Sequence, residues 1–534
     1  MHKESHYNEV ILTVDCGTGS VRVAAVDNMG VILAIKSRTS SYTPSKVSTH
    51  RKQKGFLEDV PGSTFKGSDL SKKVSGGLDF DPVSLRKDIL FLLAEVIVAV
   101  QKDKRIVGIS ITSQRNGCVG YNEHMQEVFA CPNIDSRVTQ ESLKTLPIGG
   151  EEFYSITGRW PNVFFPAMRL YWLKKNDPVL FKKIRYLSMI NDWIAWLLSG
   201  KLKAEPSNAV ETMLYDLQHK NWSISIIHSL GLDQIQMPEL ISSGSRVGSV
   251  KTTLLTELGL KQPVDIFLAP ADTQSALLGC GLNGAGAVGI VNGSTTPVLM
   301  LTDELLFDNL HRTWTDPYWE NTYALESNCT RTGIYYHKYV ENLNEFLRII
   351  GCDKTFNERE LETLLVDEQT NSSTLLFPGT TICDFSKPTR AKNFILHDFE
   401  NRNLFTEFFR AGVETIAFAT VANIRQLEKI TGFHPQSITI TGGGARSSYY
   451  RSIIAQLCMD IPVYSSKEFE TTSIGAATVA FADRYGKRND IRGLLNDMQL
   501  LPQKEDQPDE VNQSLSDKYE AWVMNISKYS DQSS

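Results

Sequence analysis

The sequence predicts an α/β fold divided between two large domains, and three observations carry that expectation. Apolar, strand-like runs alternate with stretches of helical spacing along most of the chain. A pattern of strand, small-residue bend and strand occurs twice, first between Val10 and Val26 and again between Val288 and Leu301, which points to two related halves. The chain of 534 residues is also longer than one hydrophobic core usually supports.

Taken in order, Val10 to Val14 reads as a strand running into Asp15-Cys16-Gly17-Thr18-Gly19-Ser20. Val21 to Val26 is its hairpin partner, closed by a turn at Asn28-Met29-Gly30. From about Ser37 to Gly77 the chain is rich in Ser, Lys, Thr and Gly with little periodicity, which predicts a long, poorly ordered loop. After Asp81, the residues Leu85, Ile89, Leu92, Leu93, Val96 and Ile97 recur at helical spacing and lead into a strand at Ile106 to Thr112. Helices are expected around Arg169 to Lys175, Pro178 to Ile184 and Asn191 to Leu198. Pro263 to Leu268 reads as a strand and Asp272 to Leu278 as a helix, followed by the Gly-rich join Gly279-Cys280-Gly281-Leu282-Asn283-Gly284. Val288 to Val291 and Pro297 to Leu301 form the second hairpin. Then come a helix at Leu404 to Ile430, a strand at Ser437 to Thr441, a turn at Gly442-Gly443-Gly444, and helices at Ser447 to Met459 and Ile474 to Phe481. The expected division is residues 9–281, residues 282–485, and a polar extension, 486–534, that decorates the surface.

Composition narrows the function classes. The chain is 41% hydrophobic and 22% charged, with 55 basic against 61 acidic residues and a net charge of −6, so no nucleic-acid partner is expected. The basic run Arg51 to Lys54 is short and reads as a solvated loop. Eight cysteines without a C-x-x-C pair indicate neither a zinc site nor a disulfide framework, and fit a reducing cytoplasm. The polar start, Met1 to Val10, and the lack of any run near the roughly 18 apolar residues of a membrane helix predict a cytoplasmic protein with no membrane partner.

Glycine-rich bends after strands can aim several backbone N–H groups at one phosphate. Three candidates occur, Gly17-Thr18-Gly19, Gly293-Ser294-Thr295 and Gly442-Gly443-Gly444; each could equally be a tight turn. No P-loop match exists. Gly279, Gly281 and Gly284 satisfy G-x-G-x-x-G, with Asp303 near the distance of a ribose-binding acid, yet they follow a helix and precede a strand, the reverse of a dinucleotide fingerprint.

Together these motifs resemble the FGGY carbohydrate kinases from Val10 to about Tyr485. The matching elements are Asp15-Cys16-Gly17-Thr18-Gly19-Ser20-Val21-Arg22, then Pro166-Ala167-Met168-Arg169-Leu170-Tyr171-Trp172-Leu173, then Ala271-Asp272-Thr273-Gln274. They continue with Gly293-Ser294-Thr295, Gly442-Gly443-Gly444-Ala445-Arg446-Ser447, and Glu470 with Gly475-Ala476-Ala477. The resemblance implies two actin-like, ribonuclease-H-like ATPase domains with ATP in the cleft between them, closing on sugar to exclude water. It implies Asp272 as the general base; an Asp before a helical run is also a favoured N-cap. Asp15 would hold Mg²⁺, with Gly17, Thr18, Gly19, Ser20 and Arg22 at the terminal phosphates. Gly293, Ser294, Thr295, Gly443, Gly444 and Arg446 would receive the rest of the nucleotide. The sugar would meet Gln114, Arg115 and Asn116 in the loop Ser113 to Gly117, together with Asp135 and Asp272, because a polyol needs both donors and acceptors; the plain alternative is an exposed polar loop.

The acceptor is read from departures within the family. Typical xylulokinases carry Met-His-Gly where this chain has Gln114-Arg115-Asn116, and usually a Trp where it has Asn133. Glycerol kinases share Gln114-Arg115 but continue with Glu and Thr. The core Arg115-Asn116-Gly117, the run Asn133 to Arg137 and the segment Met189 to Ala209 are most similar to the autoinducer-2 kinase branch. The preferred acceptor is therefore 4,5-dihydroxy-2,3-pentanedione, with a pentulose or a glycerol-type polyol as alternatives. A catalytically silent sugar-binding relative is opposed by the joint presence of Asp15 and Asp272. Asn116, where that branch tends to have an acid, and the loop at 37–77 both bear on the substrate. The expected partner is a small-molecule sugar, and the oligomeric state stays open, with a homodimer among the options.

Overall fold

The computed structural model describes residues 8–45, 65–66, 76–330, 332–366, 373–377, 382–387, 394–396, 404–510 and 512–530. The chain forms two compact units, one comprising Met1–Gly281, Thr315–Tyr323 and Glu470–Leu500, the other Leu282–Trp314, Ala324–Phe469 and Leu501–Ser534. The expected segments 282–485 and 486–534 therefore do not coincide with the units. The physical reason is packing: the helix Thr471–Arg484 lies against the helix Asp272–Gly279 inside the first unit.

The sheet of the first unit runs Arg246–Ser249, Asp265–Leu268, Arg105–Ser113, Glu9–Cys16, Ser20–Asp27, Ile32–Thr39. Glu9–Cys16 is buried along its whole length, pairing antiparallel with Ser20–Asp27 and parallel with Arg105–Ser113. Asp265–Leu268 is also parallel to Arg105–Ser113, so three neighbouring strands end on one edge of the sheet. The helix Pro82–Val100 starts from Asp81, whose carboxylate accepts from the Val83 and Ser84 N–H groups, and has Pro at its first position. It buries Ile89, Leu92, Leu93, Val96 and Ile97, the residues whose spacing predicts it. The strand Ile32–Thr39 extends past Ser37, where the loop is expected to begin, because it continues the ladder with Ser20–Asp27. Residues 46–64 and 67–75 of that loop lie outside the described residues.

The second unit repeats the strand logic. Ala287–Val291 pairs antiparallel with Pro297–Thr302 and parallel with Ser437–Thr441, which is parallel in turn to Val463–Ser465. The long helix Leu404–Thr431 covers this sheet with Ala417, Phe418, Val421 and Ile424. The last helix, Gln513–Ser530, is more than surface decoration. Trp522 is fully buried, donates its indole N–H to Thr415 Oγ1 at 2.6 Å and stacks on Phe377, while Lys518 pairs with Glu414 at 2.6 Å. A single apolar stripe on a polar helix is enough to seat it.

The glycine fingerprint at Gly279 has a structural explanation. A Cβ on Gly279 would overlap the Thr471 carbonyl, and one on Gly475 would overlap the Ser275 carbonyl, so the two helices cross with their backbones in contact. Gly281 and Gly284 have φ of +79° and +89°, which fits a turn after the helix.

Candidate active site

In the first unit, the three parallel strands deliver their loops to one edge, the usual position of ligands on an α/β sheet. Glu9–Cys16 leads into Gly17 to Gly19, Arg105–Ser113 into Gln114 to Gly117, and Asp265–Leu268 into Asp272. The ends are tied together. Thr112 donates to the Pro270 carbonyl at 2.6 Å, Ala269 N–H to the Ile111 carbonyl at 2.9 Å, and Thr18 Oγ1 lies 3.4 Å from Gln114 Oε1.

Asp15 and Arg22 face each other across the hairpin register, with Nη1 and Oδ2 3.8 Å apart, and Arg22 also lies 3.5 Å from Glu470. Asp15 is 5% exposed. Burial pushes its carboxyl up to about 7; Arg22 pulls down against that, while the Asp272 and Glu470 carboxylates push further up. Its Oδ1 is buried with no hydrogen-bond partner among the described residues. A costly carboxylate with a vacant lone pair suits a hard cation, and Mg²⁺ commonly takes only one or two carboxylates alongside substrate phosphates. No group of three or more His, Cys, Asp or Glu side chains placed to hold a metal ion occurs among the described residues.

Asp272 is the first residue of its helix, and the N-cap position expected for it belongs to Ala271. Its Oδ1 accepts from the Thr273 N–H at 2.8 Å. Ala271 N–H donates to Ser207 Oγ at 2.8 Å, which fixes the start of that helix.

Thr18 is half-buried and its hydroxyl meets Asn133, with Asn133 Nδ2 at 2.8 Å, while its carbonyl accepts from Tyr42 at 2.6 Å. Gly19 faces open space, and Ser20 opens the second strand. Gln114 is buried and accepts from the Asn133 N–H at 3.1 Å. Asn116 adopts φ +62°, a left-handed conformation that Asn tolerates, and donates Nδ2 to Glu211 Oε2 at 2.7 Å. Arg115 lies 3.4 Å from Glu211 Oε1.

Asp135 is placed differently from expectation. It is 1% exposed, accepts from the Leu78 N–H at 2.8 Å, and pairs with Arg137 at 2.7 Å and Arg169 at 3.0 Å. A carboxylate gripped by two guanidinium groups serves as a structural anchor and offers a polyol little. Arg169 in turn donates to the carbonyls of Asn116, Asn133 and Asp135, holding both acceptor loops. The sequence reading assigns no role to Arg169 or to Glu211; both act through tertiary contacts that carry no local pattern.

The second unit holds a cavity of about 950 Å³, within the range of small-molecule sites. Gly293, Gly443, Gly444 and Arg446 line it, whereas the expected Ser294 and Thr295 are exposed at the bend and do not. Asn292, which reads from sequence as part of the bend and no more, organises this end. Its carbonyl accepts from the Gly444 N–H at 2.9 Å; Gly442, at φ +91°, packs on its backbone too closely for any Cβ, and a Cβ on Gly444 would push on its side chain. Gly333, at the start of the helix Thr332–Ile349, approaches the Gly293 carbonyl just as closely. Ser447 caps the helix Ser448–Leu457 through the Tyr450 N–H at 3.0 Å. The cavity therefore borders the N-terminal ends of two helices, a favourable setting for phosphate oxygens. The Arg446 guanidinium sits 4.5 Å above the Phe469 ring.

Residues 87–279 match the N-terminal domain of the FGGY family of carbohydrate kinases and residues 293–483 match its C-terminal domain. A putative sugar kinase, YoaC, of Bacillus subtilis is 28% identical over 480 residues, covering 90% of each chain. The autoinducer-2 kinase of Yersinia pseudotuberculosis is 25% identical over 492 residues, covering 88% of this chain and 86% of the relative. Among solved structures, the ligand-bound xylulose kinase of Lactobacillus acidophilus superimposes with a TM-score of 0.80 at 17% identity over 98% of each chain.

Proposed function

The chain belongs to the FGGY family of carbohydrate kinases, a phosphotransferase with a sugar hydroxyl as acceptor, and from that premise we propose its acceptor and the roles of its residues. The acceptor is 4,5-dihydroxy-2,3-pentanedione. The observation that carries the site is the convergence of Asp15, the loop Gln114 to Gly117 and Asp272 on one edge of the first sheet. The similarity to an autoinducer-2 kinase over 88% of the chain supports the acceptor. A pentulose or polyol acceptor is the second reading, favoured by the segment Met189 to Ala209, which resembles pentulose kinases as well.

Phosphoryl transfer to an alcohol asks mostly for alignment and for charge stabilisation. Asp272, held by its helix start, takes the proton from the attacking hydroxyl. Gln114, Arg115 and Asn116 orient the acceptor, their side chains fixed from behind by Asn133 and Glu211. In the second unit, Gly293, Gly443, Gly444 and Arg446 receive ATP, where the lack of side chains on the three glycines lets phosphate oxygens approach the backbone closely. Asp15 would hold Mg²⁺, which when bound neutralises charge on the terminal phosphates. Arg22, opposite Asp15, faces the same charge.

The test is ADP formation with Mg-ATP across pentuloses, polyols and 4,5-dihydroxy-2,3-pentanedione, beside an Asp272→Asn variant. Turnover dependent on 4,5-dihydroxy-2,3-pentanedione and lost in the variant is expected. Preference for a pentulose would replace the acceptor, and tight ATP binding with no turnover on any acceptor would mean a silent relative.

A further inference from the structure

Beside the acceptor loop lies a buried charge cluster whose members come from four separate segments. Glu211, in the short helical turn Val210–Thr212, is 0% exposed. Its Oε1 accepts from Arg159 Nη2 at 2.9 Å and lies 3.4 Å from Arg115 Nη1; its Oε2 accepts from Asn116 Nδ2 at 2.7 Å. Arg159 is buried too and also pairs with Asp316. Two guanidinium groups and two carboxylates thus balance. Burial alone would raise the Glu211 carboxyl, but Arg159 and Arg115 outweigh it and hold the group below the usual carboxylate range.

Of this cluster only Arg115 reaches outward, with 12% of its side chain exposed. Its charge is already compensated from behind. An anionic acceptor approaching Arg115 would have to compete with Glu211 for the same guanidinium and would feel repulsion from it across a few ångströms of low-dielectric interior. A hydroxyl meets neither obstacle. The same carboxylate holds the Nδ2 of Asn116, which leaves the amide oxygen as the free hydrogen-bonding atom of that side chain.

We propose that Glu211 is a specificity-determining residue, which by neutralising Arg115 and orienting Asn116 makes the acceptor loop select uncharged polyols and ketoses over carboxylated sugars. The inference rests on Gln114 to Asn116 forming the acceptor site, as set out above. Glu211 acts through its two partners and touches no reacting atom.

The test compares kcat/KM for neutral acceptors with that for the corresponding aldonates, in the wild type, Glu211→Gln, Asn116→Asp and the double variant, with acceptor binding followed in parallel by calorimetry. Wild type favouring neutral acceptors, and a shift of the ratio toward aldonates by about tenfold or more in Glu211→Gln, are expected, since removing one close like charge in a buried setting is worth at least that factor. Asn116→Asp, which sets a second carboxylate against Glu211, should weaken acceptor use through KM, and the double variant should recover it. Melting temperatures identify any variant that is simply misfolded, and the Asn116→Asp pair then decides. A wild type that prefers aldonates, or ratios unchanged within about twofold in folded variants and no recovery in the double variant, would overturn the proposal. Should no acceptor turn over, the calorimetric ratio still decides the role of Glu211, while the acceptor named above falls on its own.

Discussion

The two units use one strand arrangement for opposite electrostatic ends. Each has a central strand paired antiparallel with the strand that follows it and parallel with a strand from far along the chain. In the first unit the loops at the strand ends carry charge: Asp15, Arg115 and Asp272, with Glu211 and Glu470 near. In the second they carry glycines, Gly293, Gly442, Gly443 and Gly444, around the neutral Asn292. The contrast teaches that this scaffold constrains where loops gather and leaves their chemistry free. Side-chain charges suit proton transfer and alignment, and bare backbone suits holding phosphates.

Four changes would break or sharpen that contrast. The largest effect is expected from Asp272→Asn, which should lower acceptor-dependent ADP formation about 10³-fold, ~4 kcal/mol of barrier, yet leave nucleotide affinity unchanged by calorimetry. A parallel loss of affinity would mean that the division of labour is wrong.

Asp15→Asn removes a costly buried charge from the first unit. The folded carboxyl titrates near 7 against 3.8 ordinarily, so between those values the folded protein keeps a proton that the unfolded chain has lost. Stability therefore falls as pH rises from about 4 to about 7, by up to ~4 kcal/mol, and the full cost stands above pH 7. The variant escapes that cost. Its melting temperature should exceed that of the wild type by more at pH 8 than at pH 5, while turnover is lost; an equal difference at both pH values would contradict an Asp15 carboxyl raised by burial.

In the second unit, Trp522→Ala should cost ~3 kcal/mol through the cavity it leaves, seen in calorimetric melting as an earlier transition of that unit. Gly444→Ala should have the smallest effect of the four, ~1–2 kcal/mol, because its Cβ meets the Asn292 side chain, which can shift in part. That loss should fall on nucleotide affinity more than on melting. Unchanged ATP binding would detach this cavity from the nucleotide.

Much of this arrangement is legible in the sequence because it depends on local pattern. Apolar runs around Val10, Ile106 and Val288 mark the central strands, and Gly after a strand marks a bend. What escapes is set by distant partners. Nothing near Glu211 signals that Arg115 and Arg159 converge on it, and Asp135 reads from sequence as a sugar-binding residue although two arginines hold it buried. The helix Gln513–Ser530 escapes for another reason: among its described side chains Trp522 is fully buried and Ile526 nearly so, and its polar majority hides the stripe.

The backbone contact between Gly279 and Gly475 has a consequence for biosynthesis. Helix Thr471–Arg484 packs directly on the central strand Glu9–Cys16, and Ser110 donates to the Ala476 carbonyl at 2.6 Å, so segments made far apart in time share one core. The first unit cannot close until residue 484 has left the ribosome, after most of the second has been made. Ribosome-stalled chains ending before Glu470 should remain protease-sensitive throughout the first unit, and the N-terminal sheet spends most of translation waiting for its cover.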